Sequence, residues 1–353
     1  MSGLACLRVL CIYLFLLSFS GCSQIGYYAQ SVRGQLDIWS REKPMQAVID
    51  DIASPQALRD KLIIALAARE FASAELGLPH NQSYRRYADL GRPFVVWNVF
   101  AAAEFSMQPV QWCFVIAGCV NYRGYFLKAD ADRFAAEAAA GGHDVYVGGV
   151  PAYSTLGWFA DPVLNTIVNY PAVEMARIIF HELSHQVVYV KDDSVFNESF
   201  AVAVEREGLR RWLARNGSEQ DRQTYLKRQG YRADFIALVQ AYRVRLEALY
   251  QQPIAADVMR ASKQQHFEEM QRDYGKLKAS WGGFAGYDRW FAQQPNNALL
   301  ASVSIYAQRV PAFEAMLREQ GNDLPKFFEA VKSLARMDKP ARDAALRKAA
   351  GEL

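Results

Sequence analysis

His181-Glu182-Leu183-Ser184-His185 is an HExxH motif, and it determines how the rest of this 353-residue sequence is interpreted. On an α-helix, residues four apart lie one above the other, so both histidines can point a ring nitrogen at one metal ion. Zinc binds neutral imidazoles readily, and a site with three protein ligands keeps one position open for water. Glu182 lies beside the first histidine, where it can accept the proton of a water that attacks a peptide carbonyl. The motif therefore predicts a catalytic site with one Zn2+ per chain.

Apolar residues flank the motif, Ile178-Ile179-Phe180 before it and Val187-Val188 after it. This pattern predicts a largely buried helix from about Val173 to Val190. The alternative is a core helix whose buried histidines hold no metal. Because the chain has only five histidines, two of them four apart with a glutamate between them favour metal binding. The other three have no partners in the sequence and are interpreted as surface or structural residues: His80, His143 and His266.

The third metal ligand is expected downstream of the motif. Val188 and Lys191 stand where the metzincin pattern requires Gly and His, which excludes that class of metallopeptidase. A polar turn follows, and a second, mostly apolar helix is predicted to run from there towards Arg215, with Asp193 or Ser194 as its N-cap.

Glu198 falls in the first turns of this second helix and is the predicted third ligand. Glu205 comes seven residues later on the same helix face, where it can hold a histidine N–H. The alternative for both glutamates is a solvated helix face. Asp192 and Asp193 are possible ligands too, although a capping role explains them.

Several segments together resemble the bacterial "putative aminopeptidase" lipoproteins, zinc enzymes of gluzincin type. In gluzincins, HExxH is followed by Asn-Glu-x-x-Ala and by a carboxylate seven residues after that glutamate. The segments that carry the resemblance span nearly the whole mature chain: Trp112-Cys113-Phe114, Gly118-Cys119, Arg123 to Phe126, Ala152 to Phe159, His181 to Gln186 and Phe196 to Ala201.

The resemblance implies a zinc metallopeptidase in which His181, His185 and Glu198 bind the metal and Glu182 is the base. Two features depart from the better-known gluzincins. Only 12 residues separate His185 from Glu198, so the connecting loop must be tight. The Gly-Ala-Met-Glu-Asn segment that holds a free amino terminus in large aminopeptidases is absent. The family resemblance thus leaves exopeptidase and endopeptidase activity both open.

The resemblance also implies a substrate-binding strand and an oxyanion donor. In gluzincins, an edge strand that precedes the zinc helix pairs with the substrate backbone. Tyr153, Ser154 and Gly157 are the expected substrate contacts, with simple sheet core as the alternative. A donor beyond the metal usually stabilises the developing oxyanion. Tyr306 is the first candidate for this donor, and the alternative is that Tyr306 is a core residue. His266 is a weaker candidate, because it lies in a charged helix.

The first 21 residues read as an export signal. Arg8 is followed by an apolar run from Val9 to Phe19 that is short for a bilayer span. Phe19-Ser20-Gly21-Cys22 resembles a lipobox, so Cys22 is predicted to carry acyl chains that anchor the protein. By resemblance to other lipoproteins, Ser23 favours the outer membrane, with the protein facing the periplasm. The alternative is ordinary secretion.

Composition excludes some partners and predicts one covalent link. The chain has 40 basic and 37 acidic residues, a balance that gives no indication of nucleic-acid binding. Apart from three cysteines at or before position 22, only Cys113 and Cys119 remain. In an oxidising compartment this pair is predicted to form a disulfide, with two buried thiols as the alternative.

The predicted fold class is α+β, with a small, mostly antiparallel sheet, an edge strand next to the HExxH helix and a mainly helical C-terminal half. Strands are expected at 94–100, 110–116 and 144–147, and helices at about 129–140, 222–278 and 296–352. Four regions are predicted: a lipoprotein signal peptide (1–21), an N-terminal helical region (22–92), a zinc peptidase core (93–216) and a helical subdomain that completes the cleft (217–353).

These patterns favour a zinc-dependent peptidase, aminopeptidase-like and tethered in the bacterial envelope, with a peptide or unfolded protein as substrate. Two alternatives remain. One is an envelope endopeptidase of protein quality control. The other is a non-catalytic binding lipoprotein in which zinc only joins two helices, although structural zinc sites normally have four protein ligands. The sequence leaves the substrate, the partner proteins and the oligomeric state open.

Overall fold

The structure is a computed structural model that describes residues 25–114, 118–152, 154–304 and 309–352. Four sequence predictions lie outside these residues: the signal peptide (1–21), the lipidation site Cys22, the substrate contact Tyr153 and the oxyanion candidate Tyr306. Among the described residues, no helix is both long enough and apolar enough to cross a membrane.

Three helices precede the main sheet: α1 (residues 25–41), α2 (Met45–Asp50) and α3 (Gln56–Ala74). The α3 helix begins where Pro55 fixes φ near the helical value, and Pro55 itself is the N-cap. It ends before Gly77, whose φ of 66° turns the chain out of the helix. These three helices lie in the region for which the sequence predicts helices, residues 22–92.

The main sheet has three antiparallel strands, with β3 in the centre. It consists of β3 (Val96–Ala103), β6 (Arg123–Tyr125) and β7 (His143–Val150), and α4 (Lys128–Ala140) packs on it. A smaller three-stranded sheet contains β1 (Lys43–Pro44), β2 (Arg86–Ala88) and β8 (Val163–Leu164). The strands β4 (Trp112–Phe114) and β5 (Gly118–Val120) form an antiparallel pair. The strands predicted at 94–100, 110–116 and 144–147 correspond to β3, β4 and β7.

The remainder of the chain is mainly helical, which confirms the α+β class. The helices are α5 (Asn165–Val168), α6 (Ala172–Ser184), α7 (Ser194–Asn216), α8 (Glu219–Tyr250), α9 (Ala256–Ser280), α10 (Asp288–Phe291), α11 (Asn297–Ser304), α12 (Val310–Glu319), α13 (Leu324–Ala335) and α14 (Lys339–Ala349). The predicted helix over 222–278 is two helices, because Pro253 lacks a backbone N–H and the chain turns between α8 and α9.

The HExxH helix is shorter than predicted. It was expected to reach Val190, but α6 ends at Ser184 and His185 is its C-cap. The reason lies in a side chain that is remote in sequence. Asn197 of α7 donates to the Val190 carbonyl at 2.8 Å and accepts from the Val190 N–H at 2.7 Å. These two hydrogen bonds satisfy the backbone outside a helix, so the chain can turn back towards α7.

The predicted substrate strand between Ala152 and Phe159 is also wrong, because its described residues form a loop. Asp161 folds this loop: its carboxylate accepts from the Thr155 N–H at 2.9 Å. Leu156 and Gly157 both have positive φ, 57° and 81°, which a β-strand does not allow. Side-chain hydrogen bonds to the backbone thus outweigh the strand preference of the sequence.

The largest hydrophobic core surrounds α6. This helix packs between α3 and α7, and Phe180, Leu183 and Phe200 are fully buried there. A second core lies between α8 and α9, with Tyr242, Leu246 and Met270 at its centre. The motif histidines are therefore carried by a helix whose position is fixed by packing on two sides.

Candidate metal centre

Three predicted ligands come together at the junction of α6 and α7. His181, His185 and Glu198 each offer one ligand atom, and these atoms all lie within 4.8 Å of one another. The two imidazole rings are 4.9 Å apart and nearly perpendicular, at 83°. The group could hold a metal ion. It assembles because the four-residue spacing stacks the histidines, and the tight 186–193 connection returns Glu198 to face them.

Two separations within this group are close to those between the ligands of a tetrahedral zinc ion. With bonds of about 2.1 Å in a tetrahedral arrangement, ligand atoms lie about 3.4 Å apart. Nε2 of His181 is 3.2 Å from Oε2 of Glu198, and Nε2 of His185 is 3.8 Å from Oε1 of the same carboxylate. Two imidazoles and one carboxylate are also ligands that zinc accepts, and a fourth position then stays available for water.

Glu205 is fully buried beside the first histidine. Its carboxylate accepts a hydrogen bond of 2.9 Å from Nδ1 of His181. Two arginines approach the same carboxylate: Arg177 of α6 donates to it at 2.9 Å, and Arg232 of α8 forms an ion pair at 3.5 Å. Burial raises the pKa of Glu205, but Arg177 and His181 outweigh burial and lower it to about 2. Glu205 therefore stays ionised and fixes the orientation of the His181 ring.

The pKa values of the two motif histidines are shifted in opposite directions. Burial lowers the pKa of His181, but its hydrogen bonds to Glu198 and Glu205 outweigh burial and raise the pKa to about 10. Burial lowers the pKa of His185 to about 4, so this ring is neutral at pH 7. A metal ion requires neutral imidazole, and its binding must therefore displace the proton from Nε2 of His181.

The carboxyl group of Glu182 has a raised pKa and lies beside the metal cluster. It lies on α6 between the two histidines, and burial raises its pKa to about 7, with a smaller raising effect from the charges of Glu198 and Asp161. A base is most effective when its pKa is close to the working pH. Glu182 is also absent from the metal cluster itself, so it remains available for proton transfer.

The predicted substrate residues Ser154 and Gly157 lie in a loop near the cluster. A Cβ atom placed on Gly157 would lie 3.6 Å from the side chain of Gln186, the residue that directly follows the motif. Asp161 holds the loop, and burial raises its pKa to about 6. Because Gly157 lies against the side chain of Gln186, the residue that follows His185, this loop borders the site. Ser154 and Gly157 therefore lie beside the metal centre as predicted, but in a loop and not in a β-strand.

Asp192 and Asp193 do not belong to the metal cluster of the described residues. Asp193 caps α7 through the Phe196 N–H, as predicted, and pairs with Arg342 of α14 at 2.7 Å. Asp192 has a positive φ of 66° and accepts a hydrogen bond from the Cys119 N–H. Both aspartates thus shape the connection between the second and third ligands.

Cys113 and Cys119 form a disulfide that closes the β4–β5 hairpin. Through the contact between Cys119 and Asp192, this hairpin lies on the connection between His185 and Glu198. The carboxylate of Asp192 fills the space where a side chain at Gly118 would stand. The covalent link therefore supports a loop that positions the metal ligands.

Sequence reasoning missed Tyr122, which follows β5. Burial is the main cause of the strongly raised pKa of Tyr122, and the charges of Glu198 and Glu182 raise it further. The phenol therefore keeps its proton and is a hydrogen-bond donor within the electrostatic reach of the centre. Its ring lies 5.7 Å from that of Phe100 on the central strand. No local sequence signal separates Tyr122 from the other 17 tyrosines. The position of Tyr122 near the metal centre depends on how the sheet packs, which the local sequence does not show.

Arg177 was missed as well, although a local signal existed. It stands four residues before His181 and is therefore on the same helix face. Arg232 gave no such signal, since it is 27 residues away from Glu205 on a different helix. Long-range helix packing alone brings it to the site.

One comparison with known proteins gives a match. The family described as "Putative aminopeptidase" matches residues 26–346, which is most of the chain. No curated protein and no solved structure matches it. The matched range includes the three clustered ligands, Glu182 and the buried Glu205.

Proposed function

The chain belongs to the putative aminopeptidase family, and from this premise we propose that it is a zinc-dependent peptidase of gluzincin type. The observation that carries the proposal is the cluster of His181, His185 and Glu198, with Glu182 between the two histidines on α6. The family supports a peptidase, and the ligand set supports zinc as its metal. The proposed substrates are peptides or unfolded proteins, attacked at the amino terminus.

Each residue of the site has a distinct role in this proposal. His181, His185 and Glu198 hold the ion, and Glu205 holds the first imidazole through Nδ1. When bound, zinc polarises the peptide carbonyl and makes water more acidic. Glu182 accepts the proton of the attacking water and delivers it to the leaving amine. A pKa of about 7 allows Glu182 to act in both directions near neutral pH.

A purely structural zinc site is the alternative that the geometry disfavours. Structural sites are closed by four protein ligands. Among the described residues, the group that could hold a metal has three members. A closed structural site also makes no use of Glu182, which lies half-buried between the two histidines, whereas a catalytic site uses it as a proton acceptor.

Zinc removal and reconstitution test the proposal. Hydrolysis of short peptides should disappear when a chelator removes the metal and return with one equivalent of Zn2+ per chain. A matched measurement of bound zinc shows whether activity follows metal content. Unchanged hydrolysis by metal-free protein would contradict zinc dependence.

Tyr122 is a second candidate for the oxyanion donor, beside Tyr306. We expect Tyr122→Phe to lower kcat by about 10²-fold and to change KM little, because an oxyanion donor acts mainly in the transition state. Tyr189 provides a matched control, since burial and, to a smaller extent, the charge of Glu198 also raise its pKa. If Tyr122→Phe and Tyr189→Phe have equally small effects on kcat, Tyr122 is not the donor.

We also propose that the protein is tethered in the bacterial envelope through lipid on Cys22, facing the periplasm, with the outer membrane favoured. The support is the short apolar run and the small residues before that cysteine. Mass spectrometry of the amino-terminal peptide should show an acylated Cys22. An unmodified amino terminus at another residue would contradict the anchor.

A further inference from the structure

The outer side of α1 carries an apolar stripe. Ile25, Val32, Leu36 and Trp39 are 70%, 60%, 54% and 37% exposed, and Tyr28 lies between them in the same row. These positions follow one another at intervals of three or four, which places them on one side of an α-helix. No charged residue belongs to the stripe.

The opposite side of α1 is already packed on the protein. Ile38 is buried among Leu90, Val95 and Phe126. A side chain at Gly34 would overlap the ring of Phe126, which lies 2.0 Å from the position of a Cβ atom. The helix therefore has a fixed orientation. A surface helix normally presents polar residues on its outer side, so the exposed apolar side chains of Ile25, Val32 and Leu36 are unusual for a surface of this kind.

The apolar surface continues beyond the helix. The ring of Trp39 lies 4.7 Å from that of Phe159 in an edge-to-face contact. Phe159 is 49% exposed, and its neighbour Trp158 is 73% exposed. Both belong to the loop that Asp161 folds. A stripe on α1 and two aromatic residues from a separate segment thus form one outward surface, which we call the apolar face (Ile25, Val32, Leu36, Trp39, Trp158 and Phe159).

A contiguous exposed apolar surface of this kind indicates a protein or membrane contact. The position of the face in the chain distinguishes between them. Ile25 comes three residues after Cys22, the predicted lipid-attachment site, and that part of the chain precedes the described residues. A lipid chain at Cys22 would enter a bilayer within about 10 Å of Ile25, since extended chain spans about 3.4 Å per residue. The first turn of α1 is then held against the membrane surface.

We propose that the apolar face lies on the lipid bilayer, with α1 in the interfacial plane. Aliphatic side chains on α1 enter the boundary between headgroups and acyl chains, and Trp39 and Trp158 take the interfacial position that tryptophan favours. One lipid chain alone binds a membrane weakly, and a second signal makes attachment stable. The apolar face supplies that signal and also fixes the orientation of the domain.

This inference rests on the proposed lipid anchor at Cys22. It is independent of the peptidase proposal, because no residue of the metal cluster takes part in the face. The apolar face is nevertheless connected with the metal centre through one loop. Trp158 and Phe159 belong to the same loop as Gly157, which lies against the side chain of Gln186, the residue that follows the motif. Membrane contact would therefore hold the loop that borders the metal centre.

The test uses the full-length protein, purified from membranes and reconstituted in phosphatidylcholine vesicles. Val32→Cys and Leu36→Cys are labelled with an environment-sensitive fluorophore, in vesicles with and without brominated acyl chains. Leu226→Cys is the matched control, because Leu226 is 67% exposed on α8, remote in sequence from the face. The introduced thiol reacts selectively in the processed lipoprotein: Cys113 and Cys119 are joined in a disulfide, Cys6 and Cys11 leave with the signal, and lipid blocks the Cys22 thiol. The unsubstituted protein, labelled in the same way, measures any background.

Brominated lipid should quench the labels at positions 32 and 36 and shift their emission to the blue, and it should leave the label at position 226 unchanged. The proposal is overturned if all three labels respond equally, or if labels 32 and 36 are not quenched. Absence of quenching is also the result expected when residues 9–19 or a second copy of the chain covers the face. A protein that fails to float with the vesicles would contradict the proposal as well. Zinc content measured on each sample separates these outcomes from any loss of the metal centre.

Discussion

Replacement of Glu182 by glutamine is expected to lower kcat for peptide hydrolysis by about 10²–10⁴-fold, the usual contribution of a general base. Glutamine has nearly the same size but cannot accept the proton of the attacking water. The cluster of His181, His185 and Glu198 does not include Glu182, so the variant should still bind one zinc ion per chain. Steady-state kinetics and metal analysis of the same sample give both values.

The matched control is Glu268→Gln, the same chemical change at an exposed position of α9. This control should keep full activity and full zinc content. If Glu182→Gln hydrolyses peptides at the rate of the control, Glu182 is not the base. If Glu182→Gln loses zinc together with activity, Glu182 contributes to metal binding, contrary to its absence from the metal cluster.

The second large effect is expected at the metal ligands. His185→Ala and Glu198→Ala each remove one of the three atoms that lie within 4.8 Å of one another, so zinc binding at micromolar concentration should be lost. Glu205→Ala should weaken zinc binding by only about 10–100-fold, because Glu205 orients His181 and does not bind the ion. Equilibrium zinc titration of the three variants measures the difference.

A conservative variant separates the roles of the two glutamates further. Glu205→Gln can still accept the hydrogen bond from Nδ1 of His181, so it should retain more zinc affinity than Glu205→Ala. The same substitution at Glu198 removes the negative charge from the ligand set and should not rescue binding. If Glu205→Ala lost more affinity than Glu198→Ala, the third ligand would be Glu205.

The sequence predicted the centre because its parts are local. Two histidines four residues apart on an apolar helix, and a glutamate in the first turns of the next helix, follow from helical periodicity. The seven-residue spacing likewise predicted Glu205 on the face of α7 that meets α6. The α+β class and the segments of β3, β4 and β7 were read from the same kind of local pattern.

The contacts that the sequence could not predict join distant segments. The end of α6 depends on Asn197, which binds the backbone of Val190 from the next helix. The loop after β7 depends on Asp161, whose carboxylate outweighs a strand-like pattern. Tyr122 and Arg232 approach the centre only through the packing of the sheet and of α8. Local periodicity carries no information on such contacts.

The apolar stripe on α1 illustrates the same limit. Its residues alternate with buried ones at helical spacing, so the sequence shows an apolar helix without showing which side is inside. Only the packing of Gly34 and Ile38 against Phe126 and its neighbours identifies the inner side. The outer side is then identified as an exposed apolar surface, which indicates a protein or membrane contact.

The most direct test of the central claim is hydrolysis of a peptide library by protein loaded with one zinc ion per chain. The library contains each peptide with a free and with a blocked amino terminus, and metal-free protein is the control. We predict that the zinc-loaded protein releases amino-terminal residues from free peptides and leaves blocked peptides intact. Cleavage of blocked peptides at internal bonds would identify an endopeptidase instead. If the zinc-loaded protein hydrolyses neither kind of peptide, the peptidase account is contradicted.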